Sequence, residues 1–397
     1  MKILYITLEN ISLHKGSVVH IRETINGLKE RGHEIGLIAR ASESFDVFDA
    51  FYNLNPYLSS VPKNHWIKRW ANRHSMLVSL FFLLFYLFRK VSSYDVIYAR
   101  DYHATVFALI PRILFRNKIV FEMNGLASEE QKLNRNSILR KIVVATIKAA
   151  EHIAGRCSDK VIAVTPQIAS YLISHCGCRP NNVEVISNGV NLKLFHPIHD
   201  HGVLTTTRKN LRIKEKDTVV IFVGNLAPWQ GVEYLIQAVP ELVEEVNDLK
   251  FLIVGDGVLR SKIEAEVNQK RMSGHFIITG MVEYSKIPLY INIADICILL
   301  KRKLASGFSP LKLYEYMACG KPILASRVEG LEFIEKEGIG YLVEPDNPGE
   351  IKKTLYAMIK NRDDRIKMGL RGLRLTLEKF SWKSKVIEIE KILETMG

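Results

Sequence analysis

Short apolar strands alternate with amphipathic helices along almost the whole chain, and no other feature limits its fold as strongly. Segments in which hydrophobic residues are spaced as in a strand alternate with segments in which they are spaced as in a helix. Such an order predicts an α/β protein with doubly wound parallel sheets. The candidate strands are 2–7, 34–39, 96–99, 118–122, 160–164 and 183–186, followed by 219–223, 250–254, 276–279, 296–300, 322–325 and 340–343. The candidate helices are 18–31, 138–155, 166–176, 232–245, 260–268, 311–318 and 348–361.

The alternation stops once, in a polar stretch at 199–216, and then starts again. A chain of 397 residues is long enough for two domains of ordinary size. We therefore predict a first Rossmann-like domain at 1–198, a second at 199–378 and a last amphipathic helix at 379–397. Sheets of this kind bind ligands at the carboxyl ends of their strands, so the loops there are the candidate sites.

The chain is basic, with a formal net charge of +13 at pH 7. Its first 200 residues carry 25 lysines and arginines against 16 aspartates and glutamates. This excess predicts an anionic partner, such as a phosphorylated substrate or a membrane surface. No nucleic-acid partner is expected, because no recognised binding module is visible. Five cysteines, an odd and sparse set, and the lack of a signal-peptide pattern predict a cytoplasmic protein.

The most apolar segment is 76–88, which reads MLVSLFFLLFYLF. It is too short to span a bilayer, which takes about 20 residues. Tryptophans and cations flank it, among them Trp66, Trp70 and Lys90. Two interpretations stay open: a helix buried against a sheet, or a peripheral contact of 65–90 with the inner surface of a membrane.

Three glycine turns follow strands of the second domain. The first runs through Asn225, Gln230 and Gly231 before a helix, and the others contain Gly257 and Val282. Free backbone N–H groups at such turns and at helix starts bind phosphate groups. Each turn taken alone fits an ordinary connection as well as a ligand site.

The most informative segment is 306–322, SGFSPLKLYEYMACGKP. Here Ser309 is predicted as the N-cap of a helix and Pro310 as its first residue, so the free N–H groups of the first turn could bind phosphate. Glu315 follows about one and a half turns later, where its carboxylate could accept hydrogen bonds from ribose hydroxyls. The alternative for Glu315 is an ordinary surface or capping carboxylate.

Together these segments resemble the retaining glycosyltransferases of family 4, the group 1 glycosyl transferases, which have the GT-B fold. The resemblance covers nearly the whole chain and rests on the order and spacing of its parts. It implies two Rossmann-like domains that face each other across a cleft, with the last helix crossing back to the first domain. The matching segments are the opening at 15–34, the strand end at 188–197, the glycine turn at 222–238, the helix at 315–322 and Phe380-Ser381-Trp382.

The resemblance implies transfer of a hexosyl or N-acetylhexosaminyl group from a UDP- or GDP-linked donor, with no metal or other cofactor required. The acceptor would be a glycan or a lipid-linked sugar in the synthesis of cell-surface polysaccharide or glycolipid. In the second domain, the backbone at Val282 would meet the base, Glu315 the ribose and 309–311 the diphosphate. The implied donor-binding residues are Gly16, Ser17, Asn225, Gln230, Gly231, Gly257, Val282, Phe308, Ser309, Leu311, Lys312 and Glu315.

The sequence departs from the family pattern at several positions. Asn225 and Gln230 stand where the family usually has arginine and lysine, so two positive charges of the diphosphate loop are missing. Gly307 stands at the first of two glutamates that the family usually has, which leaves the donor sugar undefined. A two-glycine loop is reduced to Gly16-Ser17, and Arg100 takes the place of a frequent histidine.

The catalytic candidates of the first domain are Arg100, His103 and Glu122. We hypothesise that Arg100 faces the reacting sugar phosphate and that Lys312 helps to neutralise it. His103 is a candidate to act on the acceptor hydroxyl, as is His20. Glu122 ends a predicted strand, where it can contact the acceptor or the sugar.

Two alternatives keep the fold and change the function. One is a nucleotide-sugar epimerase, which would need acid–base groups and no acceptor. The other is a non-catalytic partner subunit, which the missing loop cations and the missing glutamate suggest.

Overall fold

The computed structural model describes residues 1–13, 16–42, 48–54, 75–128, 138–303 and 306–396. The chain divides into two compact units, Met1–Ser187 with Trp382–Gly397, and Asn188–Ser381. The first unit is therefore made of two separate stretches of sequence, whereas the second is continuous.

The first unit contains a seven-stranded sheet in which all neighbouring strands are parallel. Its strands are β1 (Lys2–Asn10), β2 (Glu34–Arg40), β3 (Ala50–Asn53), β4 (Val96–Ala99), β5 (Lys118–Met123), β6 (Lys160–Ala163) and β7 (Val183–Val185). The strand order is β3-β2-β1-β4-β5-β6-β7. The direction of winding reverses between β1 and β4, which is where such sheets open a crevice for a ligand.

Helices cover both faces of this sheet, because the side chains of its central strands are apolar on both sides. In β1, Ile3 and Tyr5 belong to one apolar cluster, and Leu4 and Ile6 belong to another. The helices before the second unit are α1 (Gly16–Glu30), α2 (Ser75–Lys90), α3 (Tyr102–Phe115), α4 (Ile138–Cys157) and α5 (Pro166–Ser174). None of the helices in the described ranges is long and apolar enough to cross a membrane.

The second unit contains a six-stranded parallel sheet. Its strands are β8 (Thr218–Val223), β9 (Leu249–Val254), β10 (Phe276–Gly280), β11 (Ile296–Leu299), β12 (Ile323–Ser326) and β13 (Gly340–Val343). The order β10-β9-β8-β11-β12-β13 repeats that of the first sheet, and it reverses between β8 and β11. Any ligand of this unit is therefore expected at the ends of β8 and β11.

The helices of the second unit begin inside the polar stretch that separates the two strand series. They are α6 (His201–Asn210), α7 (Val232–Ala238), α8 (Pro240–Glu245), α9 (Arg260–Gln269), α10 (Ile287–Asn292), α11 (Leu311–Ala318), α12 (Phe333–Lys336), α13 (Pro348–Lys360) and α14 (Arg362–Lys379). The single helix predicted at 232–245 is wrong. Pro240 divides it, because proline has no N–H for the helical hydrogen bond and clashes with the preceding turn.

The last helix, α15 (Trp382–Glu394), packs against α1 in the first unit. Hydrogen bonds also hold α15 against the residues that follow α1. Glu390 of α15 accepts hydrogen bonds from Arg31 and from His33, the latter at 2.9 Å. The apolar face of α15 completes the core of the first unit. Its buried residues there are Val386, Ile389, Ile392 and Leu393.

Candidate functional site

The loop after β8 is held against the loop after β9 at the reversal point of the second sheet. The N–H of Gly224 donates to the carbonyl of Val254 at 2.9 Å, and that of Leu226 donates to the carbonyl of Asp256 at 2.9 Å. A Cβ atom on Gly257 would lie only 2.4 Å from Asn225 Oδ1, so any larger residue would push the two loops apart. The structure therefore brings the predicted residues Asn225 and Gly257 together.

The loop after β8 also contacts the residues that follow β11. Gly231 has φ +66°, a left-handed conformation that favours glycine, and a Cβ atom there would lie 3.0 Å from Leu300 Cβ. This approach places Gln230 beside Lys301, whose Nζ donates a hydrogen bond to Gln230 Oε1. A side chain from β11's loop thus reaches the glycine turn at the reversal point of the sheet.

Lys301 is a buried cation that the sequence reasoning missed. Its Nζ lies 5.8 Å from the centre of the Phe308 ring, and its backbone N–H donates to Ser326 Oγ at 2.9 Å. Burial lowers the pKa of Lys301 to about 7, and repulsion from Lys312 adds to the effect. A lysine directly after the apolar run 296–300 was the available signal in the sequence.

Glu315 and Lys312 form an ion pair on α11, in which the carboxylate is buried and the lysine is half-buried. Lys312 Nζ lies 2.6 Å from Glu315 Oε2, and the Tyr284 hydroxyl donates to Glu315 Oε1 at 2.9 Å. Lys312 also lies over the Tyr284 ring, 5.5 Å from its centre. The half-buried Val282 stands two residues before Tyr284, so the loop after β10 reaches the carboxylate through this tyrosine. Since each carboxylate oxygen has two lone pairs, Glu315 can still accept a bond from a ligand hydroxyl.

The prediction that Ser309 caps α11 is wrong. The N-cap is Pro310, with no hydrogen bond from a capping side chain, and Leu311 is the first helical residue. The Ser309 hydroxyl instead accepts the backbone N–H of Asn188 at 3.0 Å and lies 3.1 Å from the Tyr314 hydroxyl. Ser309 therefore anchors the segment that leads into the helix.

The candidate residues nearest to one another in the first unit surround Glu122, which lies near the end of β5. His20 Nε2 is 2.6 Å from Glu122 Oε1, the Tyr98 hydroxyl donates to Oε2 at 2.6 Å, and Asn124 Nδ2 donates to Oε1 at 2.8 Å. Burial alone would raise the pKa of this carboxyl. The charges of His20 and Arg100, together with the hydrogen bonds from His20 and Tyr98, outweigh burial and lower the pKa to about 2.

Arg100 and His103 follow β4, at the reversal point of the first sheet. The N–H of Arg100 donates to the carbonyl of Ile6 at 3.0 Å, and its buried Nε has no hydrogen-bond partner among the described residues. His103 stands beside Tyr102, with ring centres 4.1 Å apart. Burial lowers its pKa, whereas the charge of Asp101 opposes the shift. In the described part of the chain, no hydrogen bond or ion pair joins His103 to Glu122.

The predicted donor residues fall into two groups. Gly16 and Ser17 begin α1 in the first unit, on the helix that carries His20. The other members belong to the second unit, around the reversal point of its sheet and α11. Within this second group, a close contact joins Asn225 to Gly257 and an ion pair joins Lys312 to Glu315. Gln230 instead accepts a hydrogen bond from Lys301, which was not predicted.

Comparison with known families identifies both units. The model of the family described as Glycosyl transferases group 1 matches residues 204–373. That of Glycosyltransferase Family 4 matches residues 14–194. The two matches follow each other without overlap and leave out only short stretches at the ends and between them.

Individual relatives are also described as glycosyltransferases. The chain is 30% identical over 241 residues to uncharacterized glycosyltransferase MJ1178 of Methanocaldococcus jannaschii, and the match spans 60% of each protein. It is 25% identical over 402 residues to MJ1607 of the same organism, at 96% of each. It is 27% identical to UDP-Gal:alpha-D-GlcNAc-diphosphoundecaprenol alpha-1,3-galactosyltransferase of Escherichia coli, over 73% of this chain and 70% of that protein.

Solved structures share the fold over the full length of the chain. Sucrose-phosphate synthase of Thermosynechococcus elongatus has a TM-score of 0.81 at 19% identity, covering 100% of this chain and 98% of that one. Anabaena HepE in complex with UDP has a TM-score of 0.75 at 17% identity, covering 100% of both. These similarities confirm the predicted fold class of two Rossmann-like domains, and the comparisons do not favour the epimerase or the partner-subunit alternative.

Proposed function

The chain belongs to the group 1 glycosyltransferases of family 4, and from this premise we propose that it transfers a sugar from a nucleotide diphosphate to an acceptor hydroxyl with retention of anomeric configuration. The bond between the anomeric carbon and the donor phosphate breaks, and a bond from that carbon to the acceptor oxygen forms. The acceptor loses a proton, and the departing diphosphate gains negative charge. Positive groups fixed near that diphosphate would lower the barrier.

The observation that supports a donor site in the second unit is the Glu315 arrangement. A buried carboxylate held by Lys312 and Tyr284, on the helix next to the sheet's reversal point, provides a fixed acceptor for ribose hydroxyls. UDP is the first nucleotide to test, because HepE was solved with UDP. A GDP-linked donor is the second choice.

We assign the acceptor to the first unit. Glu122 already accepts hydrogen bonds from Tyr98 and Asn124 and lies against His20, so we propose that it orients the acceptor as a permanent anion. The lowered pKa of His103 leaves its imidazole neutral at pH 7, able to take a proton from the acceptor hydroxyl. Arg100 is proposed to face the donor phosphate.

We propose a lipid-linked or glycan acceptor at the inner surface of a membrane. The galactosyltransferase relative is named for an acceptor linked to diphosphoundecaprenol. In this chain α2 and α3 pack against each other, and both carry exposed apolar side chains, such as Phe81 at 66% and Ile113 at 81% exposure. Arg89 and Lys90 end α2, where they suit anionic lipid headgroups. The flanking residues Trp66 and Trp70 lie outside the described residues.

The donor proposal is tested by ligand-induced stabilisation without added metal. The wild-type protein is heated with UDP, GDP, ADP or CMP and with the corresponding sugar conjugates, and one nucleotide family is expected to raise the unfolding midpoint. Glu315→Gln keeps the shape and removes the charge, so we expect its dissociation constant to rise about 10- to 100-fold, the equivalent of one hydrogen bond to a charged group.

The matched control is Glu378→Gln, which removes an exposed carboxylate paired with Arg374 on α14. It should bind the nucleotide like the wild type. If no nucleotide stabilises the wild type, the donor proposal is wrong; if Glu315→Gln binds normally, the ribose role is wrong.

A further inference from the structure

The reversal point of the second sheet holds a lysine whose charge the described residues do not neutralise. Lys301 is 6% exposed, and its Nζ donates to the neutral amide oxygen of Gln230. No carboxylate in the described part of the chain lies within ion-pair distance of it, whereas neighbouring Lys312 is paired with Glu315. Burying a cation without a counter-charge is costly, so such a residue points to a negative ligand.

The surroundings of Lys301 fit a phosphate group more than a metal or an apolar molecule. The ammonium group has three N–H bonds, and Gln230 accepts one of them. The Phe308 ring offers its negative face at 5.8 Å, and the left-handed turn at Gly231 keeps the backbone close beside it. The loops that meet here follow β8 and β11, the two strands between which an open parallel sheet binds its ligand.

Resting on the proposed donor function, we propose that Lys301 is the cation that binds the diphosphate of the donor, and that Gln230 is the positioning residue that holds it there. In this arrangement the positive charge comes from the loop after β11. The loop after β8 cannot supply it, because Asn225 and Gln230 are uncharged. The attraction between Lys301 and the diphosphate strengthens as the leaving group gains negative charge. An interaction that is stronger in the transition state than in the ground state contributes to catalysis.

This placement couples donor binding to proton uptake. Burial lowers the pKa of Lys301 to about 7 in the unliganded protein, so its uncharged form is populated at neutral pH. A bound diphosphate favours the charged form and raises the pKa, so the complex takes up a proton. Affinity is therefore highest below pH 7 and falls as the pH rises through 7. Among the described residues, the charged group that acts on Lys301 is Lys312, which repels it. Lys312 is itself paired with Glu315.

The test is calorimetric titration of the full chain with UDP, GDP, UMP and inorganic pyrophosphate at pH 7. Lys301→Met should weaken the preferred nucleoside diphosphate at least tenfold and UMP much less, whereas Lys301→Arg should keep part of the affinity. Gln230→Ala should cause a smaller loss, because the cation remains. The matched control is Lys216→Met, an exposed lysine paired with Asp248 just before β8, at the opposite edge of the sheet.

The pH dependence is measured with UDP-glucose and GDP-mannose between pH 6 and 9, since diester phosphates do not titrate there. The wild type should lose affinity above pH 7, and Lys301→Met should show a flat profile. If Lys301→Met fails to fold, the proposal is tested by the nucleotide affinity of Lys301→Arg and by the pH dependence of the wild-type affinity.

The outcomes separate the two proposals. Wild-type binding of a nucleotide that is unchanged in Lys301→Met, or a flat wild-type pH profile, overturns the role of Lys301 and leaves the donor site standing. Binding of pyrophosphate through Lys301 without any nucleotide supports the anion site and overturns the donor proposal. Binding of neither ligand by the wild type overturns both.

Discussion

Glu122 is ionised inside the first unit because its neighbours compensate for the loss of water. Tyr98 and Asn124 donate hydrogen bonds to it, and the His20 ring lies 2.6 Å away. With its pKa near 2, well below that of a free glutamate, this carboxyl stabilises the folded state whenever it is charged. A general base would need a pKa nearer the working pH, so the low pKa of Glu122 supports the proposal that it orients the acceptor.

The pH dependence of stability follows from this shift. The contribution of Glu122 is complete above about pH 4.5 and is lost as the pH falls from there toward 2. Glu122→Gln should therefore be less stable than the wild type by about 1–3 kcal/mol at pH 7. That difference should narrow below pH 4, as measured by thermal unfolding monitored by circular dichroism. Glu184→Gln, which changes an exposed carboxylate on β7, is the control; equal acid sensitivity of Glu122→Gln and wild type would contradict the account.

Single residues were predictable from the sequence where a local motif carries them. Glu315 and Lys312 stand together in the segment 306–322, and the structure pairs them on one helix. Lys301 was not predictable in this way, because its contact with Gln230 joins positions 71 residues apart. Such a pairing depends on the order of strands in the sheet, and the one local signal, a lysine directly after the apolar run 296–300, does not indicate its partner. Ser309 was mispredicted for a similar reason, since its hydroxyl is engaged by the distant Asn188.

At the level of elements, all twelve predicted strands are present, because buried parallel strands are continuous apolar runs. The missing strand, β3, has only four residues, all half-buried, at the edge of the sheet. Five helices were not predicted: α3, α6, α10, α12 and α14. Of these, α3 is apolar on most of its surface and contains Pro111, so it lacks the alternation of polar and apolar faces. The apolar run at 76–88 fits both interpretations in part, since Leu83 and Leu87 of α2 are buried and Phe81 is exposed.

Substitution of the exposed aromatic side chains of α2 tests whether this helix contacts a membrane. Replacing Phe81 and Phe85 with serine should leave the fold intact, because their rings are 66% and 43% exposed. Each ring that enters the lipid interface contributes on the order of 1–2 kcal/mol, so the double variant should bind anionic phosphatidylglycerol vesicles at least tenfold more weakly. Sedimentation of the protein with vesicles measures this.

The control for that experiment is the pair Leu370→Ser and Leu377→Ser on α14, where the leucines are 60% and 59% exposed. These changes remove apolar surface from the second unit and should leave vesicle binding unchanged. Equal binding by the α2 variant and the wild type would rule out α2 as the contact. Neutral phosphatidylcholine vesicles should bind less than anionic ones if the cations at the end of α2 contribute.

At the scale of the whole molecule, the first unit is built from two separate stretches of sequence. Deletion of its second stretch, 382–397, is therefore expected to destabilise the first unit and not the second. Removal of 382–397 exposes the face of α1 that α15 covers and takes away five buried apolar side chains, the four of the core cluster and Trp382. At about 1.5–3 kcal/mol each, their loss is comparable to the entire stability of a domain, about 5–15 kcal/mol. Calorimetry should therefore show the transition of the first unit lost and that of the second retained.

The continuous stretch 188–381 supplies the complementary measurement. Expressed alone, it should fold and be stabilised by the same nucleotide as the full chain, because the proposed donor contacts of Glu315 and Lys301 lie within it. A deletion of 382–397 that destabilised both units equally would show that they unfold together.

The position of α15 in the sequence also determines when, during translation, the first unit can complete its core. A ribosome completes all of the second unit before it makes the helix that closes the core of the first. At about 5–20 residues per second, the second unit alone takes roughly 10–40 seconds to make, and the face of α1 stays uncovered throughout that time. During that interval the part made earliest is the part still open to chaperones, proteases and aggregation. The half of the protein that is translated first is therefore the half that finishes folding last.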